Sequence, residues 1–189
     1  MTKNTKMIIV SIIVIILVGG VVFFFAKSRQ PAPKNIAGET NIKEKPITAK
    51  EAYKIAKVYA NKWANDSVLV EITNFQGTNQ TDGTANRWKV RFYSPQKEKD
   101  LQVHIVGGEY MQDLESTHMS LAPTGDEWAD SDVAVAKAME HLANDQCKNI
   151  WLGLSGNQWR VKCSRTSGAP KWIIIGAQNG EFMQEYEDY

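Results

Sequence analysis

The feature that most constrains this 189-residue chain is a degenerate internal repeat. Trp63-Ala64-Asn65-Asp66, Asn86-Arg87-Trp88-Lys89-Val90-Arg91 and Gly108-Glu109-Tyr110-Met111-Gln112 recur in order as Leu142-Ala143-Asn144-Asp145, Asn157-Gln158-Trp159-Arg160-Val161-Lys162 and Gly180-Glu181-Phe182-Met183-Gln184. What both copies keep is packing residues, so each must solve the same burial problem. Neither copy brings a nucleophile, a metal cluster or a phosphate loop. The repeat therefore speaks to construction before it speaks to chemistry.

Within the first copy, Thr48-Ala49-Lys50-Glu51 forms a capping box, in which the hydroxyl and the carboxylate satisfy each other's backbone amides. A helix follows, with Ala52, Ile55, Ala56, Tyr59 and Trp63 on one face and lysines largely on the other. The second copy offers Asp130, Ser131 or Asp132 as its cap and Ala134, Val135, Ala138, Met139 and Leu142 as its apolar stripe. Period-two runs come next: Val68, Val70 and Ile72, then Trp88, Val90 and Phe92, then Leu101, Val103 and Ile105. Their counterparts are Ile150, Leu152 and Leu154, then Trp159, Val161 and Cys163, then Trp172 to Ile175. The expected fold class is α+β: a transmembrane helix, then two tandem repeats of one helix packed on a four-stranded antiparallel meander. In the second copy Ile173 and Ile175 alternate with Trp172 and Ile174, so both faces of that strand are apolar and the two copies are expected to pack together or to share a sheet, with the concave surface on the far side as the expected place to bind something.

Met7 to Ala26 is 20 residues without a charge, long enough at roughly 1.5 Å per residue to cross a ~30 Å hydrocarbon core. It reads as an uncleaved signal-anchor in the lipid bilayer, because a cleavable leader would have a shorter apolar run ending at small residues. A lipid anchor is excluded by the cysteines, which lie far downstream. The expected organisation is a cytoplasmic tail over 1–6, a membrane span over 7–26, a flexible linker over 27–46, and repeats over 47–120 and 121–189. The C-terminal part is expected outside the cytoplasm. From Pro46 to Tyr189 the chain has 15 Lys and Arg against 19 Asp and Glu, a net charge of −4, although the whole chain is +1. That balance argues against nucleic acid as a partner.

The segment Ile47-Thr48-Ala49-Lys50-Glu51-Ala52-Tyr53-Lys54-Ile55-Ala56, followed by a meander, resembles the opening of PepSY domains. The tandem arrangement is similar to the two-repeat plan of the β-lactamase inhibitory proteins. The resemblance implies an extracytoplasmic, non-enzymatic module that binds a protein or peptide, with a role in regulating peptidases. It implies no cofactor, and no active residues carry over. The second reading is a structural subunit of an envelope assembly that makes its contacts through the transmembrane helix.

Cys147 and Cys163 are the only cysteines and read either as a disulfide or as two buried thiols. His104, His118 and His141 show no ligand spacing, so no metal is expected. Trp63, Trp88 and Trp159 fall on apolar faces and read as core. Trp128, among acids between the copies, either plugs their junction or stands exposed as a partner anchor. The acidic end Glu181 to Tyr189 is a solvated edge strand or a surface for a partner, with Tyr186 and Tyr189 as its anchors.

Overall fold

Thr48 caps the first helix as read: its hydroxyl accepts from the Glu51 amide, and the Glu51 carboxylate accepts from the Thr48 amide, 2.9 Å away. Helix α1 (Ala49–Trp63) follows, and the alanines Ala49, Ala52, Ala56 and Ala60 bring its backbone close to a sheet. We describe a computed structural model of the protein covering residues 45–75, 81–125 and 127–188. The strands are β1 (Val68–Asn74), β2 (Arg87–Ser94), β3 (Lys99–Val106), β4 (Glu109–Thr117), β5 (Cys147–Ser155), β6 (Gln158–Arg165), β7 (Lys171–Gly176) and β8 (Phe182–Glu187); helix α2 (Ser131–His141) lies between β4 and β5.

The eight strands form one antiparallel sheet in the order β4-β3-β2-β1-β5-β6-β7-β8. This corrects the expected fold class of two repeats, each with its own four-stranded meander. The physical reason is the pair of edges such meanders would leave: β1 and β5 would expose unpaired backbone groups, and pairing removes both edges at once. Glu71, Ile72 and Thr73 lie opposite Ser155, Leu154 and Gly153. Asn74, fully buried, extends the seam with its side chain, accepting from the Leu152 amide (2.7 Å) and donating to the Ile150 carbonyl (3.0 Å). Asn74→Ala leaves both backbone groups buried without that partner, so urea unfolding is expected to show a loss of about 2 kcal/mol. A loss no larger than that of an exposed surface change would show that the seam does not depend on it.

The two helices meet at their N-termini. Asp130, the α2 N-cap, accepts from Ser131 N (2.7 Å) and from Lys50 N of α1 (2.9 Å), while the Ser131 hydroxyl accepts from Ala49 N (2.9 Å). One carboxylate thus serves the positive ends of two helix dipoles. Gly83 (φ +80°) lies against the backbone of Ser131 and Asp132, where a Cβ has no room. Both helices pack on the same side of the sheet, α1 against β1 to β4 and α2 against β6 and β7. There Val103, Val90, Ile72, Leu154, Trp159 and Ile175, consecutive cross-strand neighbours, form a fully buried row through one continuous core.

The expected signal-anchored, single-pass membrane protein is withdrawn. Among the described residues no helix is long and apolar enough to cross a membrane. Helix α1, at 15 residues, reaches only about 22 Å and carries four lysines, and α2 is shorter still. The span expected at Met7–Ala26, with the tail before it and the linker to residue 44, lies outside the described residues.

Candidate functional site

The face of the sheet away from the helices is the candidate site, because no described helix or strand covers it. Cross-strand partners share a face, so its occupants follow from register. One row runs through His104, Lys89, Thr73, Gly153, Arg160 and Ile174, and another through Trp151, Lys162, Trp172 and Tyr186.

On the half built by β1 to β4 this face is charge-matched. Arg91 is buried between Glu71 (3.3 Å) and the fully buried Asp100 (3.4 Å), and Lys89 also reaches Glu71 (3.4 Å). Asp100 accepts further from the Met119 amide (3.1 Å) and lies 2.8 Å from His118 Nδ1, whose ring stacks on Tyr93. The segment after β4 is thereby strapped across part of the face, and Thr124 N donates to Leu69 O (2.7 Å) farther along. At the opposite end of β2 and β3, Phe75, Arg87, Trp88, His104 and Met111 help to line a small cavity of about 130 Å³. Burial, and then the neighbouring Lys89 ammonium, hold His104 below the usual imidazole value.

That shift has a sign. In the unfolded chain His104 takes up a proton near pH 6.5, before the folded chain does, so the proton favours unfolding. Its stabilising effect is complete above that pH and is lost as pH falls toward the lowered folded value. His104→Gln should flatten the fall in stability between about pH 7 and 5; an unchanged slope in chemical denaturation would remove His104 from that role.

On the half built by β5 to β8 the same face is aromatic and cationic. The Trp151 indole lies over Gly153, where a Cβ would come within 2.5 Å of the ring. Its ring meets Trp172 edge-on at 5.6 Å, and Trp172 is stacked with Tyr186 at 6.0 Å. Lys162 Nζ sits 4.8 Å from the centre of Trp172. Arg160 is exposed on the adjacent row, with no ion pair among the described residues.

Of the residues expected from sequence, Tyr186 belongs to this surface, 38% exposed. Trp128 does not, and its reading as an exposed anchor is corrected: it is 5% exposed, edge-on to both Tyr53 and Trp159, and closes the core between the helices. Tyr189 lies outside the described residues. Cys147 and Cys163 are joined in a disulfide, α-carbons 5.2 Å apart, on the helix side of β5 and β6. Trp151 and Lys162 went unread, although Trp151 breaks the apolar phase of Ile150, Leu152 and Leu154, which is the signature of an aromatic on the second face.

Elsewhere, a cleft of about 380 Å³ is lined by Asn144, Asp145, Gln146, Arg165, Thr166 and Ser167. Its charges are engaged with one another: Asp145 pairs with Arg165 and Lys171 (3.2 Å each), Arg165 with Glu187 (2.8 Å) and Lys171 with Glu185 (2.7 Å). The Glu185 hydrogen bond, with Asp145 behind it, holds the Lys171 ammonium above its ordinary value. Among the described residues no group of three or more His, Cys, Asp or Glu side chains is placed to hold a metal. His118 and His141 stack on Tyr93 and Phe182, and His104 meets Phe75 at a tilt, so the three lie against different rings.

No family model matches the chain, and no curated protein matches it. A solved structure from Clostridium difficile 630, described as a "putative lipoprotein", is similar in fold. The TM-score is 0.55 at 10% sequence identity, with 77% of this chain and 94% of that one covered. At that identity the likeness concerns the fold alone.

Proposed function

We propose that the chain is a non-enzymatic binding module that engages a protein or peptide through the helix-free face of its sheet. The carrying observation is the row Trp151, Lys162, Trp172 and Tyr186, which places large aromatic side chains where the fold does not need them for its core. Aromatic and cationic side chains grouped on a surface are characteristic of interface hot spots. The resemblance of the opening segment to PepSY domains supports the same reading and points to a peptidase or another protein as the target. The sheet is rigid, and its exposed positions alternate with core positions, so the surface is held ready without ordering a loop.

A photoreactive phenylalanine analogue at Gln158 or Gln184, on this face, should crosslink the partner when the full-length protein is exposed to its native extract. The same analogue at Lys54, on the outer side of α1, should not. Adducts formed only from the helix side would overturn the assignment of the face, and adducts abolished by Trp172→Ala would support it.

A further inference from the structure

The partner's chemistry can be read from how Trp172 is held, an argument that rests on the binding-module reading above. Lys162 and Tyr186 are the cross-strand neighbours of Trp172 on either side, and both lie against its ring. The ring faces are therefore occupied, which disfavours a flat sugar stacked on them. What remains available is the ring edge, where the quadrupole is positive and the indole N–H donates. That N–H is already used: Trp172 Nε1 donates to Asp188 Oδ2 at 2.6 Å, and Lys162 Nζ lies 3.6 Å from the same oxygen. An indole N–H beside an ammonium, with a carboxylate seated between them, is a carboxylate-binding site in use.

Its surroundings extend the same preference. Arg160 lies two residues along β6 on the same face, about 7 Å away, with no ion pair among the described residues. Arg87, on the same face of β2, likewise makes no ion pair among the described residues. The domain as a whole is acidic by four charges, yet this face carries Arg87, Lys89, Arg91, Arg160 and Lys162 against Glu71, Asp100, Glu109 and Asp188. The cations are gathered on this face against the trend of the whole domain.

The geometry points to an acidic peptide segment as the occupant of the face, its carboxylates taken by Lys162, Trp172 and Arg160, with Asp188 as a built-in competitor. Asp188 is half exposed and sits one residue past the end of β8, so an incoming carboxylate can displace it without disturbing the sheet. The competitor sets a threshold: a lone carboxylate gains nothing by replacing another, whereas a segment that also reaches Arg160 does.

The test follows the indole N–H signals of the full-length protein by NMR while decaglutamate, decalysine or an uncharged Gly-Ser peptide is added. Decaglutamate should move the Trp172 signal and leave that of Trp159, bonded to Ala129 O inside the core, unchanged as a control for folding. Asp188→Asn should tighten decaglutamate about threefold, the size expected of an exposed ion pair, and Lys162→Gln should weaken it by a similar factor. If decalysine or the Gly-Ser peptide moves Trp172 as strongly, the acidic preference is overturned while the face stands as a binding surface. If Asp188→Asn leaves decaglutamate affinity unchanged, the competitor is overturned. If no peptide moves Trp172 even in Asp188→Asn, both the acidic partner and the binding-module reading fall.

Discussion

Trp159→Ala is expected to lower the unfolding free energy by about 3–5 kcal/mol. Trp159 is fully buried at the middle of the core row, opposite Leu154 and Ile175, with Trp128 edge-on to its ring and Ala129 O accepting from its indole N–H at 2.8 Å. Truncation removes the ring's burial, leaves a void between α2 and the sheet, and strips the Ala129 carbonyl of its partner. Trp159→Phe isolates the hydrogen bond and should cost appreciably less. Equilibrium denaturation of the two variants checks this, and equal losses would show that packing is not the dominant contribution.

Reduction of the Cys147–Cys163 disulfide is the second large effect. The bridge closes a loop between residues 16 apart, for which restriction of the unfolded chain corresponds to about 3 kcal/mol. It also sits where the β5–β6 register shifts, between Cys147 and Asn149, so it pins the end of β5 where the ladder is irregular. Thermal unfolding with and without a dithiol reductant should show the reduced protein melting several degrees lower. Cys163 is fully buried and Cys147 only partly so. A variant carrying Cys147→Ala with Cys163→Val keeps an apolar group in the buried position and separates loss of the link from loss of packing.

Local structure was legible wherever one face of an element is buried. The alternation of Trp88, Val90 and Phe92 with Arg87, Lys89 and Arg91 placed β2 and its inner face, and the capping box at Thr48 placed the start of α1. The candidate site was legible only in part. Tyr186 was read, and Trp172 was seen as an apolar residue on a second face. Trp151 was missed because it is a single out-of-phase aromatic, and Lys162 because an outward lysine on an alternating strand carries no mark of its own; both gain meaning only once their neighbours across the strand are known. Trp128 shows the converse: a tryptophan among acids between the copies reads in sequence either as a plug of their junction or as an exposed anchor, and only the packing of its ring edge-on to Tyr53 and Trp159 decides for the plug.

By itself, then, the sequence determined the helices, the strands, their inward faces and the repetition of one pattern, because side-chain periodicity records which face each element buries. Only the tertiary structure decided that β1 joins β5 into one sheet, that Asp130 caps both helices, and that Trp151, Lys162, Trp172 and Tyr186 form one row. Strand pairing is made by backbone groups that every residue carries alike, so the joining of two edges leaves almost no mark on the order of the side chains.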